Sequence, residues 1–123
     1  MQDRFKFRAW DEMKQLYKDD IQDCFKFFKD KCFACFQNYL DNQDIFKIEQ
    51  CTGLRDKNGK LIYEGDIVET HDYTTEHSQI VFDKGCYVLK SKDVAIYDHL
   101  SSYEKQCEII GNIHENPELL EED

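Results

Sequence analysis

One stretch, Cys51 to Val68, limits the possible folds more than any other part of the chain. It reads Cys-Thr-Gly-Leu-Arg-Asp-Lys-Asn-Gly-Lys-Leu-Ile-Tyr-Glu-Gly-Asp-Ile-Val and holds three of the five glycines. Asn58-Gly59, set before the apolar Leu61-Ile62-Tyr63, is a tight-turn signal because both residues tolerate positive φ. Gly53 and Gly65 mark a turn or bulge on either side. Asp66 to Thr70, with its β-branched residues, then reads as a strand. The centre of the chain is therefore β, folded around short turns.

The flanks extend this pattern. Arg4 to Ala9 alternates charged and apolar residues with period two, which turns Phe5, Phe7 and Ala9 to a core and Arg4, Lys6 and Arg8 to solvent or a partner. Trp10-Asp11 ends that strand, and Met13 to Tyr17 pairs back as a hairpin arm. Ile45 to Glu49 is a strand entering the central stretch, and His71 to His77 a polar loop. Ser78 to Phe82 and Cys86 to Lys90 form a hairpin around Asp83-Lys84-Gly85. Val94 to Tyr97 is a further short strand or helix, and Cys107 to Gly111 is the last strand. Pro117 opens a closing helical turn at its first position. Phe46, Ile48, Leu54, Ile62, Ile67, Val81, Val88, Ile109 and Ile113 are expected to share one core.

Residues 20–41 differ in character. Ile21, Cys24, Phe25, Phe28, Cys32, Cys35, Phe36, Tyr39 and Leu40 recur at spacings of three and four, the pattern of one helical face, with Asp20 as its N-cap. Phe27 and Phe33 lie off that stripe. A helix apolar on more than one side needs two neighbours, which points to a homo-oligomer packed through helix 20–41.

Three segments carry a resemblance to a known family. They are Phe7-Arg8-Ala9-Trp10-Asp11, then Thr52 to Lys60 with Ile62-Tyr63-Glu64-Gly65-Asp66-Ile67-Val68, and finally Ile110-Gly111-Asn112-Ile113-His114-Glu115-Asn116-Pro117-Glu118-Leu119-Leu120. In this order they resemble the YopX family of small phage and prophage proteins; residues 19 to 43 depart from its usual strand-rich segment. The resemblance implies a phage-encoded cytoplasmic protein with an SH3-like barrel behind a less regular N-terminal part. It brings no catalytic or ligand residues with it. By analogy, a glycine and an acid leading into a strand, as at Gly65-Asp66, also open small SH3-like barrels. The expected fold is mainly β (α+β): a single domain over 1–123, with an N-terminal strand hairpin and one inserted helix in 1–43, and an SH3-like barrel with a C-terminal helical turn in 44–123.

Composition narrows the function classes. A chain of 123 residues can bury a core without staples. A net charge of −10 disfavours a nucleic-acid backbone as partner, since phosphates need clustered cations; it fits a basic partner, or solubility alone. The start, Met-Gln-Asp-Arg-Phe-Lys, has no apolar signal region, and no apolar run reaches the ~20 residues of a membrane span. The expectation is a protein of the host bacterial cytoplasm with its six cysteines as thiols.

Few residues suggest chemistry. Cys32-Phe-Ala-Cys35 lacks the second pair that a zinc knuckle requires, so a structural zinc site would need Cys24, Cys32, Cys35 and Cys51 brought together. On a helical stripe the first three act as small hydrophobes, which is the favoured reading, and no cofactor is expected. His71 and His77 flank one loop without a third ligand. No phosphate loop, nucleophile elbow or paired-carboxylate motif occurs, so an enzyme is not expected. Arg8 beside Trp10, with Arg55, could hold a nucleotide by stacking and charge. The leading expectation is a non-enzymatic accessory protein that binds a host protein. The alternatives are a sequestering protein for a small nucleotide-type host signal and a small structural zinc protein.

Overall fold

The computed structural model describes residues 5–22, 39–71, 75–91, 98–102 and 106–121. The chain divides into two compact units, Met1–Cys51 and Thr52–Asp123. It is mainly β, with antiparallel strands throughout the registers of both sheets. Residues 23–38, most of the expected helix 20–41, lie outside the described residues, as do Cys24, Cys32, Cys35, Phe27, Phe33 and Val94 to Tyr97. At the described ends of that segment, 21–22 are 3-10 and 39–41 helical, and Asp20 has φ +53. Among the described residues no helix is long and apolar enough to cross a membrane.

In the first unit, β1 (Phe7–Asp11) is flanked by β2 (Leu16–Lys18) and by β3 (Phe46–Arg55). The hairpin expected after Trp10 forms. Asp11 Oδ1 accepts the amides of Met13 and Lys14 at 2.9 and 3.0 Å, bending the chain back. The expected alternation of β1 does not hold: Arg8, Ala9, Trp10 and Asp11 are all buried, whereas Phe5 is 50% exposed. Residues on both faces of β1 are buried, so this strand has no solvated side for the alternation to mark.

The second unit opens with the C-terminal half of β3, which turns through 56–60 into β4 (Leu61–Tyr63). It continues as β5 (Asp66–His71), β6 (Thr75–Asp83), β7 (Cys86–Lys90), β8 (Asp98–His99), a 3-10 turn Leu100–Ser102, β9 (Cys107–Asn112) and a 3-10 turn Pro117–Leu120. The sheet order is β8-β7-β6-β5-β9. The β6–β7 hairpin closes through Lys84 and Gly85, at φ +51 and +88, the two positive-φ positions that a two-residue hairpin turn demands. The expected polar loop does not run from His71 to His77. Both lie in strands, and the register sets His71 opposite Thr75 and His77 opposite Glu69.

The core of this unit is Ile62, Val68, Ile80, Leu89, Leu100 and Cys107, with Leu54, Tyr87 and Ile109 packed against it. The expected core is correct for Leu54, Ile62 and Ile109. Ile67 and Val88 are buried outside that cluster, and Val81 and Ile113 are half-buried. Phe46 and Ile48 lie in the first unit, each half-buried. The reason is register: Ile80 stands opposite Leu89 and Val81 opposite Val88, and the first pair takes the core side. The register to β9 shifts between Ile67 and Val68, with Ile110 of β9 as the extra residue, while β5 itself alternates: Val68 joins the core cluster, Ile67 lies on the other face, and both are fully buried.

Candidate functional site

Three polar clusters stand out. In the first unit, Arg8 and Glu49 are cross-strand partners on β1 and β3. Arg8 Nε donates to Glu49 Oε1 at 2.8 Å, and the same oxygen accepts from Tyr17 Oη at 3.0 Å. The guanidinium carbon lies 4.1 Å from the centre of the Tyr17 ring, and Tyr17 meets Trp10 edge-on at 5.0 Å between centroids. A cation is thus held between a carboxylate and an aromatic face by side chains of β1, β2 and β3.

The second cluster is the turn at 56–60. Asp56 Oδ1 accepts the amides of Asn58 and Lys60, each at 2.9 Å, and Asp56 Oδ2 accepts the amide of Ile109 at 3.0 Å. Lys57 N donates to the Cys107 carbonyl at 2.9 Å. One buried aspartate therefore builds the turn and fastens it to β9. The carboxylate also acts on the neighbouring Cys107 thiol. Burial first, and the Asp56 charge second, push that thiol from an ordinary 9.0 up to about 11. Asp66 and Asn112 repeat the pattern. Asp66 Oδ2 accepts the Tyr63 amide at 2.7 Å, and Asn112 Oδ1 accepts those of His114 and Glu115 at 3.0 and 2.9 Å.

The third cluster is His77. Its Nε2 lies 3.0 Å from Glu69 Oε2 and its Nδ1 3.0 Å from the Leu119 carbonyl oxygen.

Arg8 and Trp10 share one face of β1, but a stacking platform needs an open ring, and Trp10 is 2% exposed. Arg8 is engaged by Glu49 and Tyr17. Arg55 belongs to the other unit, is exposed, and donates through Nη1 to the Gly59 carbonyl at 2.7 Å. Cys51 is fully buried, and its proposed zinc partners lie outside the described residues. Among the described residues no group of three or more His, Cys, Asp or Glu could hold a metal ion. Sequence reasoning missed Glu49, Tyr17 and the His77–Glu69 pair. Opposite charges on two strands that pair, Arg8 and Glu49, were the available signal.

The family model described as YopX protein matches residues 6–121. The chain belongs to the YopX family. The match extends across the β1 cluster, the Asp56 turn and the C-terminal 3-10 turn, so all three belong to the segment that the YopX model covers. A solved structure, protein EF1440 from Enterococcus faecalis, is similar at 26% identity with a TM-score of 0.61, covering 94% of this chain and 96% of that one. No curated protein matches the chain.

Proposed function

We propose that this YopX-family chain is a non-enzymatic accessory protein of a phage or prophage that acts by binding a host component in the bacterial cytoplasm, as a homo-oligomer. The observation that carries the reading is the inward use of its carboxylates. Asp11, Asp56 and Asp66 accept the chain's own backbone amides, and Glu49 holds Arg8 and Tyr17. A carboxylate bonded in this way shapes a scaffold; proton transfer to a substrate needs one within hydrogen-bond reach of the reacting atoms. Recognition then falls to the outer surface, where the acidic balance of the chain favours a basic partner.

We also read the second unit as an SH3-like barrel. Strands β5, β6 and β7 form a meander, a 3-10 turn follows, and β9 returns to pair with β5. Self-association rests on the apolar pattern of residues 20–41. The test combines light scattering with a pull-down from host lysate and mass analysis of both proteins and released small molecules. The expected result is at least a dimer at micromolar concentration with a stoichiometric host protein. A strict monomer that releases a nucleotide overturns this reading in favour of a sequestering protein.

A further inference from the structure

The His77 ring faces two acceptors. Glu69 Oε2 lies 3.0 Å from Nε2, and the Leu119 carbonyl oxygen 3.0 Å from Nδ1. A neutral imidazole carries one N–H. Whichever nitrogen holds it, the other turns a lone pair onto an oxygen lone pair at the same short distance. Only the imidazolium donates to both. We propose that His77 is a pH-sensitive clasp: protonated, it ties the C-terminal 3-10 turn to β5 and β6, and deprotonated it lets that turn go.

Three observations support a latch over a passive contact. First, the ring sits on the sheet face opposite the core, because its cross-strand partner Glu69 adjoins the core residue Val68 on β5. Second, Pro117–Leu120 packs on β6 with Leu119 and Leu120 only half-buried and no fully buried residue of its own. Third, the segment returns over Gly111, where an added Cβ would stand 2.6 Å from Asn116 Oδ1. The Asn116 side chain in turn accepts the Asn112 amide at 3.3 Å. The returning segment thus has a close-packed root at Gly111 and a titratable tie near its end.

The charged groups on the elements around the ring, among the described residues, are of both signs, with carboxylates in the majority. Glu69 comes from β5. Glu108 on β9 stands opposite Glu69, with Lys57 Nζ 3.3 Å from its Oε1. Lys90 on β7 faces Gln79, two positions along β6 from His77. The C-terminal segment adds His114 and the exposed Glu115, Glu118 and Glu121. Glu69 stands opposite a second carboxylate, Glu108, and a protonated ring beside it sets a positive charge against that pair.

The test is backbone hydrogen exchange on the full chain, corrected for intrinsic rates. It reads the amides of Leu119 and Glu121, which donate to Asn116 and Glu118 carbonyls at 3.1 Å. Protection is expected to fall about tenfold between about pH 5.5 and pH 8, the loss of one charge-assisted hydrogen bond. Val68 and Ile80 amides should stay unchanged as the folding control. In His77→Gln the step should vanish, in His114→Gln it should persist, and in Glu69→Gln it should move to lower pH. A flat wild-type profile, or a step that survives in His77→Gln, overturns the proposal. If His77→Gln loses the control amides, the nitrogen shifts of His77 in the wild type decide: a ring still neutral at about pH 5.5 rejects the clasp.

Discussion

The two units both bury carboxylates, and they do so in different ways. In Met1–Cys51, Glu49 is matched by side chains, a guanidinium on the adjacent β1 and a phenol on β2 beyond it. In Thr52–Asp123, Asp56 is matched by three backbone amides. A cross-strand ion pair sets register, since a slip by one residue would carry Arg8 and Glu49 to opposite faces. A carboxylate on amides sets a turn, since it satisfies donors that the bend removes from the ladder. The difference shows in what is stranded when one member is lost. Removing Arg8 leaves a buried charge, whereas weakening Asp56 leaves amides next to the exposed residues Lys57 to Lys60, within reach of water.

The largest expected effect tests the first half of this contrast. Arg8→Met alone should destabilise by about 3–5 kcal/mol, because Glu49 remains buried without its cation. Arg8→Met combined with Glu49→Leu and Tyr17→Phe should recover most of that loss in urea melts. Additive losses would show that the pair is not coupled. An apolar reference in the second unit comes next. Ile67→Ala, at a fully buried position, should cost ~2–4 kcal/mol, and a change below about half a kcal/mol would remove Ile67 from the interior.

Asp56→Asn should cost less, about 1–3 kcal/mol. The amide oxygen still serves the turn, while its NH₂ now faces the donating Ile109 amide. The loss should appear as faster exchange at Ile109, with Asn58 and Lys60 little changed. The smallest effect is on pH. Because Cys107 is pushed up to about 11 in the folded state, the unfolded chain ionises first. The associated stability is present below the ordinary value near 9.0 and is lost as pH rises toward about 11. Alkylation of Cys107 should therefore be slow in the folded protein and fast in denaturant, and Asp56→Asn should speed the folded-state reaction.

Much of the strand plan was legible, for identifiable reasons. Asn58-Gly59 and Lys84-Gly85 announce turns through backbone freedom, and Pro117 marks the start of the final turn. What was not legible depends on neighbours that periodicity does not name. Arg8 looked solvent-facing because alternation does not show that both faces of β1 are covered. Ile67 and Val68 are both buried because both faces of β5 are covered there, which alternation does not report. Phe46 and Ile48 looked like members of the same core as Ile62, yet the unit boundary falls within β3, after Cys51. The candidate site was least readable. Trp10 and Arg8 were named for their chemistry, but their partners Tyr17 and Glu49 come from two other strands, and the His77 contact spans 42 residues.

Asp56 also carries a consequence for the order in which the chain folds. Its Oδ1 bonds amides two and four residues away, while its Oδ2 bonds an amide 53 residues away. Local contacts form at little loop-closure cost, and distant ones wait for the intervening chain to be ordered. One side chain therefore belongs to both an early and a late event. In chevron analysis, Asp56→Ala should slow refolding and speed unfolding together. Asp56→Asn keeps the local acceptor and changes the distant bond, so it should act almost entirely on the unfolding limb.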